Sequence, residues 1–420
     1  MTPTQTQIDP LSSQARVKIV RAVEKLVRTK FVNLAGVDLD RWSRDLRALT
    51  EPMLDCTAED FEQAVRQALQ GLKSSHTGFY HGVQNRFLPQ HSINATLTNC
   101  ASLGGRWVFV DVFPEGPAER AGVRPGDVLM KVNGKEPSVD WPPQFKMGAT
   151  HQLTVGDNQG ANIRTFSAVV PLRKGTKQRP PILEPKAVTA EFLPPDIGVL
   201  RIPYFSGAAG MRFGAELVKA VSGLKAKGSK RLVIDLRGNI GGSLGFAILA
   251  SYLCPDERPI GYSVTPQAVR KGYSKEKLPK VRMPRNKFEL LGTLAAFAAR
   301  DKSVVLMTQG LGPQPFHGRV AILINEFTNS AGEMLASFAA ENRLAVLVGD
   351  RTPGNALGAA NFPVGHDYFL RVPIFGWFGW SGTYLEGAGV APDVTVECNA
   401  WHCACGSEQF QAALKAVTDQ

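Results

Sequence analysis

The chain has 420 residues, 44% hydrophobic and 20% charged, with a formal net charge of +11. That length predicts two or three domains rather than one core, and the composition excludes wholesale disorder. The basic excess is spread out, and its densest stretches, Arg173–Arg179 and Arg270–Arg285, lack interleaved aromatics, which argues against nucleic acid as a partner.

Polar residues 1 to about 12 come first, with neither an apolar h-region nor an A-x-A site, and no run of eighteen apolar residues follows anywhere. A chain without a membrane span that stays in the compartment where it is made, the cytoplasm, is therefore expected. From Ser12 to Leu72 the pattern is helical: Val17, Ile19, Val20, Val23, Leu26, Val27 and Phe31 fall near one stripe, and Thr57 with Glu59 and Asp60 marks a helix start. The run KSSHTGFYH then places Ser75 and His76 just past a helix end, where a lone histidine ordinarily reads as surface.

From about His91 to Arg173 the texture is β, with INATLTN, RWVFVDVF and IRTFSAVVPL as strands. Between them, Gly116 to Pro137 spells a short helix closed by Gly122, a turn at Pro125–Gly126, the strand VLMKV and a hairpin turn at Asn133–Gly134. Lys174 to Lys186 reads as a linker. The strand Ile197–Phe205, a helix ending at Gly228, and the strand–turn–helix Arg231–Leu253 follow, an order that predicts parallel α/β crossovers. Glycines 238, 241 and 242 match neither a phosphate loop nor a dinucleotide fingerprint, and their turn suits an oxyanion. Pro255 to Pro315 is an insertion, a lid or an oligomer contact, with LLGTLAAFAARDKS as a helix.

The run RVAILI predicts a buried parallel strand and MLASFAA a helix, with Asn325–Glu333 between them. Ser330 in that turn is either a nucleophile presented at a helix N-terminus or simply its N-cap, with Glu333 completing a capping box. The aromatic run Ile374–Tyr384 either lines an apolar substrate pocket or fills core. Cys398, Cys403 and Cys405 surround His402, but C-x4-C-x-C lacks the paired spacing of zinc modules. No metal and no cofactor is expected, and a local disulfide stays open.

Gly116–Pro137 resembles the PDZ signature of bacterial proteases, which implies a groove that takes up an extended peptide, commonly by its C-terminus. IDLRGNIGGSL, INEFTNSAGEMLASF, VGDRTPGNALG and YLEGAGVAPDV, in that order, resemble the C-terminal processing (tail-specific) peptidases and the related tricorn core proteases. The resemblance covers about residues 68 to 397. It implies a multidomain α/β protein: an N-terminal helical region carrying the histidine loop (1–85), a PDZ domain (86–175), a linker (176–190), a clp/crotonase-like α/β catalytic domain (191–400, with an insertion at about 255–315) and a C-terminal tail (401–420). By position Ser330 matches the family nucleophile. Gly241, Gly242 and Ala331 match the oxyanion donors, and Asp235, Arg237 and Glu333 the supporting polar residues.

One position departs from the pattern. Where the processing peptidases carry a lysine base, this chain has Asn355, which cannot accept a proton. The tricorn-type branch uses a histidine oriented by a glutamate, and His76 and Glu386 match those places, with Ser75 assisting. The resemblance therefore implies a Ser330–His76–Glu386 triad acting on a peptide or protein substrate. His366, in VGHDYF, is the other candidate base, and Glu341 and Glu333 are rival carboxylates. A catalytically inactive peptide- or ligand-binding protein on the same scaffold is the alternative, and a homo-oligomer stays open.

Overall fold

The computed structural model describes residues 11–82, 86–87, 92–100, 103–137, 143, 145–146, 148–171, 187–206, 211–284, 289, 303–397 and 408–419. Helices α1 (Ser13–Lys30), α2 (Leu39–Thr50) and α3 (Ala58–Gln70) open the chain. Each starts on a side chain that accepts otherwise unpaired N–H groups: Ser12 for α1, Asp38 for α2, and Thr57 in a capping box with Asp60 for α3. A loop then leads into the strand β1 (Gly78–His81).

The PDZ-like segment is a five-stranded antiparallel sheet. In chain order it is built from β3 (Ala95–Cys100), β4 (Arg106–Val112), β5 (Val128–Val132), β7 (Thr150–Gly156) and β8 (Arg164–Val169), with β2 (Arg86–Phe87) and β6 (Phe145–Lys146) as a separate pair. The helix α4 (Pro117–Ala121) ends at Gly122 with φ 100°, and Asn133 and Gly134 turn with φ 51° and 79°. These are the left-handed positions the sequence predicts there.

A six-stranded sheet forms the centre of the chain's second half. It comprises β9 (Thr189–Leu193), β10 (Ile197–Arg201), β11 (Arg231–Asp235), β15 (Val320–Ile324), β16 (Val346–Gly349) and β19 (Val394–Thr395). All but β9 run parallel, and Val320–Ile324 is buried throughout, as a strand covered on both faces must be. One face carries α5 (Met211–Ala226), α6 (Phe246–Leu253) and α8 (Ala331–Glu341). The other carries α9 (Glu408–Thr418), whose Phe410, Ala413 and Val417 pack on Val233, Ala321, Leu323 and Val348. The stretch read as a C-terminal tail thus contributes a structural helix, whose i, i+3, i+7 apolar spacing is the signal that marks it.

The second sheet joins distant parts of the chain. Inside the insertion, β12 (Pro259–Val264), the helix α7 (Pro266–Lys271), β13 (Lys280–Arg282) and β14 (Val305–Met307) follow one another. The hairpin β17 (Gly358–Gly365) and β18 (Tyr368–Gly379) comes later, and β18 runs between β12 and β1. The basic run of the insertion is therefore partly sheet, while LLGTLAAFAAR lies outside the described residues, as do Cys398, His402, Cys403 and Cys405. Helices α1–α3 share one core with Phe79 of β1 and Tyr368, Leu370 and Val372 of β18. No described helix is long and apolar enough to cross a membrane.

Candidate active site

Strands β11 and β15 are parallel neighbours in register, Asp235 opposite Leu323, so the loops that leave them open side by side at the carboxyl edge of the sheet. Both loops are bolted together by buried amides. Asn325 Oδ1 accepts from Gly238 N–H at 3.0 Å, and Thr328 Oγ donates to Leu236 O at 2.8 Å. Asn239, fully buried, donates its Nδ2–H to Ile202 O at 2.7 Å and accepts from Gly241 N–H at 2.8 Å, while its carbonyl takes Asn329 N–H at 2.7 Å. Sequence reading passed over Asn239, because an asparagine in a glycine turn ordinarily reads as turn chemistry.

This bolt holds Ser330 against the glycine turn. A Cβ on Gly241 (φ 83°) would come within 2.6 Å of Ser330 Cβ and 3.1 Å of Ala331 N, so only glycine fits. Ser330 itself has φ 52° and ψ −114°, a costly conformation for a side-chain-bearing residue and the kind found where a turn presents a nucleophile. Of the three amides expected to face an oxyanion, that of Gly241 is taken by Asn239. Among the described residues no acceptor bonds the N–H of Gly242 or Ala331. We expect Asn239→Ala to leave Ile202 O and Gly241 N–H without partners, costing about 1–3 kcal/mol for each group. Chemical denaturation checks this, with slowed modification of Ser330 as the second readout.

Glu333 organises the far side of the serine. Its fully buried carboxylate accepts from Ser330 N–H (3.0 Å), Thr352 Oγ1–H (2.7 Å), Gly354 N–H (2.7 Å) and Asn355 N–H (2.8 Å). Burial pushes its carboxyl up, against these bonds, which favour the ionised form. Asn355 also donates its Nδ2–H to Asn329 Oδ1 at 2.7 Å, so at the lysine's position stands a residue that braces the serine turn.

The neighbouring amide belongs to a second cluster: Ala356 N–H donates to Glu386 Oε2 at 3.0 Å, so consecutive residues hold Glu333 and Glu386. Glu386 Oε1 accepts from Ser75 N–H (2.7 Å) and Oε2 from Ser75 Oγ–H (2.9 Å), and Ser75 Oγ lies 2.7 Å from His76 Nδ1. Because the hydroxyl proton points at the carboxylate, the bond to the ring assigns Nδ1–H to His76 and leaves Nε2 with its lone pair. Glu386 thus reaches the imidazole through Ser75. Burial first, then the positive charge of Arg371, lowers the His76 pKa to about 4. No hydrogen bond joins Ser330 to His76 among the described residues.

Asp235 and Arg237 form a buried bidentate pair, Nε–Oδ1 2.9 Å and Nη2–Oδ2 2.8 Å, and Arg237 also donates to Gln409 of α9. They brace the loop after β11 from beneath. His366 sits exposed with φ 49° at the β17–β18 hairpin tip, apart from Ser75 and Glu386, and Glu341 accepts from Ser381 N–H. The aromatic run is largely sheet and core: Trp377 is buried edge-on to Phe246, and Phe378 stacks on Tyr262 and Tyr384. Phe327, in the serine loop, packs with Cys100, Val108, Val110 and Val128 of the PDZ-like sheet. Arg201 pairs there with Asp111 at 3.1 Å.

Comparison with known proteins places this arrangement. Residues 196–396 match the family described as Peptidase family S41, and residues 108–140 match a PDZ domain. The carboxyl-terminal-processing protease of Picosynechococcus sp. is 26% identical over 317 residues, 73% of this chain and 65% of that protein. The carboxy-terminal processing protease CtpA of Bacillus subtilis is 25% identical over 309 residues, 70% of this chain and 54% of that protein. The chain thus spans between about half and two-thirds of the length of these relatives. The structure of a photosystem II D1 C-terminal processing protease shares the fold, with a TM-score of 0.59, 19% identity, and coverage of 91% of this chain and 93% of the other.

Proposed function

The chain belongs to peptidase family S41 and carries a PDZ domain, and from that premise we propose that it is a serine endopeptidase with Ser330 as nucleophile and His76 as general base. The observation that carries this reading is the bonded chain Glu386–Ser75–His76, which fixes the imidazole tautomer with Nε2 free. His76 takes the Ser330 proton, the alkoxide attacks the scissile carbonyl, and the amides of Gly242 and Ala331 receive the oxyanion. His76 then returns the proton to the leaving amine, and water repeats the cycle on the acyl-enzyme. Ser75 and Glu386 stabilise the imidazolium that forms in between. Asp235, Arg237, Glu333 and Asn355 act as positioning residues. The PDZ domain engages the substrate through its C-terminus, and its packing on Phe327 lets it brace the serine loop.

The pH dependence of hydrolysis of an unstructured polypeptide tests this reading. A His76 pKa below the ordinary 6.5 makes the base neutral from mildly acidic pH upward, so kcat/KM rises between about pH 4 and 6.5 and is already near its plateau at neutral pH. Activity that develops only in the alkaline range of an amine base would overturn the assignment of His76. A folded protein that hydrolyses nothing and takes no serine-directed label would favour the binding-protein alternative.

A further inference from the structure

Arg371 lies on β18 directly opposite Gly78 of β1, two residues beyond His76. Alternation along the strands puts Arg371 and Phe369 on one face and Leu370 and Val372 on the other. The latter face is covered by α1–α3. On the former, Tyr80 stacks on Phe369 at 5.7 Å, and Asn361, opposite Arg371 on β17, is exposed. Arg371 is half-buried, and among the described residues its guanidinium makes no salt bridge or hydrogen bond. Three other shielded arginines have a carboxylate, Arg237 with Asp235 at 2.8 Å, Arg66 with Glu62 at 2.8 Å and Arg231 with Asp196 at 2.5 Å, and the buried Arg16, which has no ion pair, donates to Met53 O at 2.6 Å. A desolvated cation without a counter-charge is costly, and a guanidinium fork matches a carboxylate in geometry as well as charge. Its charge reaches both His76 and the Tyr80 hydroxyl, so an anion held there lies beside the reacting centre.

Building on the peptidase reading, we propose that Arg371 is a specificity-determining residue that binds a carboxylate of the peptide substrate next to the His76 loop, supplied by the chain's terminus or by an acidic side chain. The test uses short internally quenched peptides in matched pairs. One pair ends in a free carboxylate or an amide, and the other carries Glu or Gln near the cleaved bond. Wild type favours the carboxylate-bearing member of one pair by about tenfold or more in kcat/KM, and that pair names the source. Arg371→Gln abolishes the preference by raising KM for that member, and Arg371→Lys restores part of it. The proposal is overturned by no preference in wild type, by a preference that survives Arg371→Gln (a carboxylate read elsewhere, as by the PDZ domain), or by equal losses on both members. The affinities of the same peptides for Ser330→Ala, with and without Arg371→Gln, give this comparison without turnover. Peptides bound with an Arg371-dependent preference yet never cleaved by wild type would refute the peptidase reading alone. Cleavage without that preference would refute this inference alone.

Discussion

Replacing Ser330 with alanine is expected to abolish peptide hydrolysis and covalent labelling by a fluorophosphonate, with kcat falling about a million-fold, the scale on which a missing serine nucleophile is felt. The fold survives the change. Ser330 is held through its backbone, its N–H on Glu333 and its carbonyl accepting from Met334 N–H, and alanine keeps both bonds. Relief of the φ 52° strain is not expected either, since alanine adopts that region no more readily. Circular dichroism and denaturation therefore match wild type while labelling is lost. A variant that still labels would move the nucleophile elsewhere.

His76→Ala is expected to have the second largest effect. Removing the base costs on the order of 10⁴-fold or more in kcat, because the hydroxyl must then be deprotonated by water, and the oxyanion amides alone supply what rate remains. Ser75→Ala and Glu386→Gln are expected to be milder, about 10²–10⁴-fold, since each leaves the imidazole in place but loosens its tautomer and the stabilisation of its charged form. The double variant Ser75→Ala/Glu386→Gln should cost little more than the larger single, because the two residues act as one chain of bonds. Single-turnover hydrolysis by the four variants measures this. Full labelling of His76→Ala would discard the base. Independent, additive losses from Ser75 and Glu386 would break the relay.

Some of this was legible in the amino-acid order because it depends on short-range physics. Thr57 caps its helix, Gly122 and Asn133–Gly134 take left-handed turns, and RVAILI is a buried strand, each following from local conformational preference or apolar patterning. Ser330 and Gly241 were legible as candidates for the same reason: a polar turn between strand and helix, and a glycine where no side chain fits. Motif order carried the pairing of His76 with Glu386, which no local property of either stretch reveals.

What lay outside the sequence's reach is long-range and set by packing. That β1 completes a sheet with β18 decides where His76 sits, and it depends on Phe79, Tyr368 and Leu370 finding one core with α1–α3. That Gly241 spends its N–H on Asn239, while no acceptor among the described residues bonds Gly242 or Ala331, follows from how two loops interlock, and three backbone amides alike in chemistry cannot be told apart beforehand. The apolar spacing of the C-terminal helix marks it as a helix, but that it supports Arg237 through Gln409 is set by the tertiary fold. Local sequence determines which turns and helices form, since each residue's conformational cost is its own. Burial and hydrogen-bond competition, which only the assembled fold imposes, decide which of those groups remain free to do chemistry.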